Sequence, residues 1–351
     1  MPPKPSSVKP PGGPAKNTAQ RSISLALQGG GAHAAFSWGV VDQLLIDGRM
    51  TIEAISATSS GAILATVMAQ GMMEGGNEGA REIMTKFWRK VSIASSLMPM
   101  QINVVDKFLG HVGIDLSASS MALDYITKIF SPYQFNLFDL NPLRGIVEEM
   151  VDFDKLNKKP PCGLYINATN ARTGKSRIFE AGDLTLDAVM ASSCLPFMFK
   201  TVEIDGEPYW DGSFSGCPAL APLINHDEPG DIVLVQIHPS FVDEVPTSAA
   251  DILDRATEIS FHSVLLHEMK NIELYNGMIA SGALKQKPVF LHRIDAQDML
   301  TSLGRASKLK ADWDFLIYLH DMGVQTASDW VGSNFEQLGK SSSLDISALV
   351  A

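Results

Sequence analysis

Two short clusters of small and hydroxylated residues could carry chemistry: Gly29-Gly30-Gly31-Ala32-His33 and Ala57-Thr58-Ser59-Ser60-Gly61. Each follows an apolar run, and each opens a helical pattern. A glycine turn can aim backbone N–H groups at an oxyanion, and a serine on a strand-to-helix turn can present its hydroxyl as a nucleophile. Those are two of the three parts of an acyl-transfer site. The third is a base, because a serine hydroxyl is inert at neutral pH until its proton is removed.

The base could be a histidine or a carboxylate. His33, His111, His226, His238, His262, His267, His292 and His320 are available, and none sits in a local signature. His267-Glu268 begins like the zinc motif H-E-x-x-H, but Asn271 stands where the second ligand belongs, so no metal site is expected. The carboxylate candidate is Asp211, in Tyr209-Trp210-Asp211-Gly212-Ser213. An acid closing a strand before a glycine turn can point back toward the serine. The same residues also fit an ordinary Asp-Gly turn. To act as a base, a carboxylate needs burial and a hydroxyl partner.

Both clusters need elements to hold them. Ser22–Leu27 reads as a buried strand, and His33–Asp47 as a helix, with Phe36, Val40, Val41, Leu44 and Leu45 at helical spacing and Gly48 as its stop. Ile52–Ser56 reads as a second strand and Gly61–Met73 as a uniformly apolar helix. This βαβα opening predicts a parallel sheet with the site at its carboxyl edge. Residues Glu74 to Phe153 turn helical and irregular, interrupted by Pro99, Pro132 and Pro142, and fit either a cap over the site or a helical layer on the sheet. Leu164–Thr169 and Ser176–Phe179 read as strands around Arg172-Thr173-Gly174-Lys175, and Leu184–Ser193 as a helix. Thr201–Ile204 and Glu207–Trp210 read as a hairpin through Asp205-Gly206, and Ile232–Ile237 as a buried strand. Beyond Thr247 the pattern is mostly helical.

Composition narrows the function. Apolar residues make up 45% of the 351 and charged ones 19%, as in a packed globular protein. The net charge is −11, while residues 1–21 contain Lys4, Lys9, Lys16 and Arg21 and no acid, so the remaining chain is more acidic still. Such a body is repelled by nucleic acid, and no nucleic-acid role is expected. Residues 1–21 read as a disordered basic tail without a signal sequence. No run reaches the ~20 apolar residues of a transmembrane helix, so membrane contact would be peripheral. Cys162, Cys194 and Cys217 form no C-x-x-C pair and point to reduced thiols in a cytosolic protein. Gly29, Gly31 and Ala34 also satisfy the dinucleotide pattern G-x-G-x-x-[GA], but the second strand ends in Ser59 rather than in an acid, with Glu53 at its start.

Taken together, the glycine turn, Ser59 and Asp211-Gly212, in that order, resemble the patatin-like phospholipases. Asn167-Ala168-Thr169-Asn170 with Thr173-Gly174 is similar to that family's A-T-D-x-x-T-G stretch. Ala191-Ser192-Ser193-Cys194-Leu195-Pro196 with Phe199 resembles its A-S-x-A-x-P-x-x-F segment. The resemblance covers roughly Leu25 to Pro222. It implies a three-layer α/β/α fold with a central, mainly parallel sheet, spanning residues 22–224. The last core strand or strands and a helical C-terminal extension would follow over 225–338, with a flexible tail over 339–351. It further implies a Ser59–Asp211 dyad hydrolysing lipid carboxylic esters, with Gly29, Gly30 and Gly31 as the oxyanion turn and no cofactor. The substrate would be a lipid or a membrane interface met peripherally. Departures from the family pattern are His33 for Arg, Ala34 and Ala57 for Gly, and Gly212-Ser213 for Gly-Gly or Gly-Ala. A rival transacylase reading wants His before the nucleophile, where this chain has Thr58. The alternative within the same fold is a catalytically weak or silent lipid-binding or interaction protein in which Ser59 and Asp211 merely shape a pocket.

Overall fold

The computed structural model describes residues 20–97, 130–224, 230–303, 305–346 and 349. The expected tail, apart from its last two residues, lies outside these, as do His111, His226 and part of the irregular stretch after Glu74. Arg21 already belongs to the first strand, β1 (Arg21–Leu27).

The βαβα opening forms as its periodicity dictates. After β1 come a 3-10 turn (Gly31–His33), α1 (Ala34–Asp47), β2 (Met50–Ala57) and α2 (Ser60–Leu97). The apolar first half of α2 is separated from its second half by non-helical Gly75 and Gly76. Short helices α3 (Pro132–Phe135), α4 (Pro142–Met150) and α5 (Phe153–Lys158) lead to β3 (Gly163–Asn170) and β4 (Ser176–Phe179). Next are α6 (Leu186–Ser192) and the hairpin β5 (Val202–Ile204) and β6 (Glu207–Asp211). Asp205 and Gly206 both take positive φ in its turn, as a two-residue hairpin loop requires.

The remaining strands are β7 (Asp231–Gln236) and β8 (Phe290–Asp295), separated by the long helix α7 (Ala249–Ala280). Helices α8 (Gln297–Ser302) and α9 (Trp313–Asn334) flank a 3-10 turn at Arg305–Leu309. The eight-stranded sheet runs β5-β6-β3-β2-β1-β7-β8, with β4 also paired to β3. The pairs from β3 through β8 along this path are parallel, and β4, β5 and β6 pair antiparallel.

Strand alternation divides the core between two faces. Leu25, Leu27, Val233 and Val235 pack with α1, α2 and α9 on one face. Ala26, Ile232 and Leu234 pack with Leu265, Met269 and Ile272 of α7 on the other. This is the expected three-layer α/β/α arrangement. Helix α9 is docked tightly on α1: a Cβ on Gly39 would lie 1.9 Å from the His320 carbonyl oxygen.

The C-terminal third is mostly helical, as expected, with strand β8 set within it; His292 and Arg293 break the apolar pattern of that strand. His292 is buried there because Asp231 Oδ1 meets its Nε2 at 2.8 Å. One expectation for this third needs correction. Residues 339–344, read as flexible, are instead pinned to the sheet. Gly339 N–H donates to both oxygens of Asp231, and Leu344 N–H to the Leu291 carbonyl at 3.2 Å.

Candidate active site

Both clusters meet at the carboxyl edge of the parallel strands. Strand β2 ends at Ala57, α2 starts at Ser60, and Ser59 between them takes φ 59°. A non-glycine residue in the left-handed region costs roughly 1–2 kcal/mol, so the elbow must be held from outside. Thr58 N–H donates to the Leu27 carbonyl at 3.3 Å, and Thr58 Oγ1 to the Gly216 carbonyl at 2.9 Å. Ser59 N–H donates to Ser192 Oγ at 3.0 Å. Ala57 and Ala34 are fully buried, and their methyls do not prevent the elbow from forming. Gly61 lies in the first turn of α2.

Gly29 sits directly against the serine: a Cβ there would lie 2.3 Å from Ser59 Cβ and 2.9 Å from its Oγ. Gly30 N–H donates to Ser60 Oγ at 3.0 Å, and Gly31 opens the 3-10 turn with φ 61°. Gln28, the residue before them, fastens the turn. Its Oε1 accepts from Ile237 and His238 N–H at 2.8 and 2.9 Å, and its Nε2 donates to the Cys217 carbonyl. The sequence offered one signal for Gln28, a polar residue between a buried strand and a glycine run.

Asp211 closes β6, two strands from β2 across β3. Its N–H donates to the Cys194 carbonyl at 2.8 Å, and its carbonyl accepts from Thr169 Oγ1 at 2.8 Å. The chain then turns over β3 toward the elbow. A Cβ on Gly212 would lie 2.0 Å from the Asn167 carbonyl oxygen and 2.9 Å from Thr58 Cγ2, so only glycine fits. Asn167 Nδ2 donates to the Gly212 carbonyl at 2.7 Å and secures that passage.

The Asp211 carboxyl is fully buried. Burial raises its pKa to about 6, against hydrogen bonding from Ser59 and from Ser213 that pulls the other way. Ser213 N–H reaches Oδ1 at 2.9 Å. Oδ2 has no hydrogen-bond partner among the described residues, while the Ser59 hydroxyl lies near enough to the carboxyl group to favour its charged form. Contacts of this kind often tighten only when substrate arrives. The Ser213 N–H would be present with any residue but proline at this position, whereas the Ser213 hydroxyl, at one of the positions where the chain departs from the family pattern, gives the carboxylate a further stabilising contact.

Several histidines are engaged elsewhere: His33 with Ser307, His292 with Asp231, and His320 with Asp42. Glu268, from the broken zinc motif, accepts from Leu220 and Ala221 N–H at 2.8 and 3.0 Å, which is a structural use. Among the described residues no group of metal-ligating side chains converges, and no helix is long and apolar enough to cross a membrane. Ser192, Asn167 and Thr169 sit in motifs visible in the sequence, but their bonds to the elbow and to the Asp211 turn were not legible there.

A three-layer α/β protein with a serine elbow beside a glycine turn at the sheet's carboxyl edge is the class defined by these features. The chain belongs to the patatin-like phospholipase family, whose model matches residues 25–223. Among solved structures, it is similar to VipD from Legionella pneumophila, at 15% identity over 87% of this chain and 67% of that one, with TM-score 0.32. It is also similar to ExoU in its complex with SpcU from Pseudomonas aeruginosa, at 14% identity over 86% of this chain, with TM-score 0.30. This chain spans about half of that ExoU chain, 53%. No curated protein sequence matches.

Proposed function

We propose that the protein hydrolyses carboxylic esters of lipids through a Ser59–Asp211 dyad. The observation that carries this reading is the strained Ser59 elbow beside a buried carboxylate whose Oδ2 has no hydrogen-bond partner among the described residues. Asp211 Oδ2 takes the proton from Ser59 Oγ as that oxygen attacks the acyl carbonyl carbon. The tetrahedral oxyanion is met by N–H groups of the Gly29–Gly31 turn. Gly30 N–H is already given to Ser60 Oγ, which leaves Gly29 and Gly31 as the turn's donors. The positive end of the helix that follows adds to this field. The alcohol leaves with the proton held by Asp211. Water then attacks the acyl-enzyme while Asp211 takes its proton, and Asp211 returns that proton to Ser59 Oγ as the fatty acid departs. The chain supplies the base, nucleophile and oxyanion donors from its own side chains and backbone, and the substrate is met at a lipid surface by peripheral contact.

Dinucleotide binding through the same glycines is disfavoured by packing, since Gly31 is covered by the Lys308 carbonyl. Turnover of a short-chain nitrophenyl ester tests the dyad. Ser59→Ala and Asp211→Asn are each expected to lose activity by at least about 1,000-fold while keeping the wild-type circular dichroism. Wild-type-like turnover by folded Asp211→Asn would refute the dyad.

A further inference from the structure

The segment that covers the glycine turn comes from the C-terminal third, beyond the residues matched by the family. The 3-10 turn Arg305–Leu309 lies against the turn Gly31–His33. A Cβ on Gly31 would lie 2.3 Å from the Lys308 carbonyl oxygen, so the two backbones are in direct contact. Beside it, His33 Nε2 and Ser307 Oγ are 2.6 Å apart in the protein interior. The Lys308 side chain runs back to α7, where its Nζ meets Asp254 Oδ2 at 3.0 Å and Glu258 Oε1 at 2.8 Å. Glu258 is itself buried and also paired with Arg255.

We propose that Arg305–Leu309 is a strap that holds the oxyanion turn in register, with Lys308 as the positioning residue clamped to α7. This rests on the assignment of Gly29–Gly31 as oxyanion donors. The physical reason is preorganisation. Backbone donors stabilise a transition state only if they are already aimed, and a displacement near 1 Å can cost about 100-fold in rate. Glycines have little stiffness of their own, so aim must come from packing. Ile237 supports Gly30, Ser59 backs Gly29, and the strap closes the third side at Gly31. The clamp survives its surroundings: burial lowers the Lys308 pKa, but the two carboxylates more than offset this and hold it above its ordinary value. His33, by contrast, is pushed down to about 4 by burial and by Lys308, so the His33–Ser307 contact is between neutral groups.

The test compares Lys308→Met, Lys308→Arg and the double variant Asp254→Asn/Glu258→Gln with the wild-type full chain. Two readouts are used: steady-state hydrolysis of a nitrophenyl ester, and hydrogen exchange of the Gly29–Gly31 amides. Expected for Lys308→Met is kcat lower by about 10-fold or more, with KM within about twofold and faster exchange confined to the glycine turn. Lys308→Arg should restore most of kcat. The double variant keeps the Lys308 backbone contact and should reproduce the loss, which covers the case in which Lys308→Met fails to fold. Unchanged exchange at Gly29–Gly31, or unchanged kcat, in the folded variants overturns the strap. If the wild type does not turn over the ester, the hydrolase reading fails, while the exchange measurement still decides whether the strap holds the turn.

Discussion

At the scale of single residues, the pivotal group of the proposed mechanism is Asp211. An aspartate near its ordinary pKa is a poor base, and burial corrects this by lifting the value to about 6. The sign of the coupling follows. The folded value lies above the unfolded one, so the native state holds the proton more tightly. Stability from this group is fully present below about pH 4 and is lost as pH rises through about 6. Carrying the buried charge at neutral pH therefore costs on the order of 3 kcal/mol. Activity runs the opposite way, because the base must be ionised. We expect kcat/KM for ester hydrolysis to fall about tenfold per unit below pH 6, with an acid limb near 6. A profile flat from pH 7 to 5 would show that a different group takes the proton. The residue types at positions 59 and 211 were readable in the sequence. The activation proposed for them was not, because it depends on burial and on donors such as Ser213, which no spacing reveals.

At the scale of elements, the opening strand–turn–helix units were legible because each has clean periodicity and a glycine or proline stop. The β5–β6 hairpin was legible through Asp205-Gly206. Strand β8 was hidden because a buried histidine reads as polar until its partner Asp231, 61 positions away, is known. This strand and β7 lie beyond the family match, yet they extend the same sheet next to β1. Removing them would turn β1 into an edge strand and expose Leu25, Leu27 and Ala26 along it, at about 1.5–3 kcal/mol for each large aliphatic side chain. A chain ending at residue 224 is therefore expected to be insoluble, or to lack a cooperative thermal transition followed by circular dichroism. Cooperative unfolding of that fragment would show that residues 25–223 form a self-sufficient core.

At the scale of the whole molecule, the C-terminal third is part of the fold and of the site's surroundings. Helix α9 lies on α1, residues 339–344 are pinned to β7 and β8, and the strap meets the glycine turn. The His33–Ser307 contact joins residues 274 positions apart, and no local pattern could announce it. What composition did announce is electrostatic. A chain of net charge −11 is repelled by anionic bilayers, which favours neutral or zwitterionic lipid surfaces for the proposed activity.

Activation of Ser59 is the claim on which the rest depends, and covalent capture tests it most directly. The measurement is reaction of the full chain with a fluorophosphonate probe, with the modified residue mapped by mass spectrometry. The prediction is a single adduct on Ser59 that is absent from Ser59→Ala. Labelling that persists in folded Ser59→Ala, or a wild-type adduct mapped to another serine, would contradict the assignment.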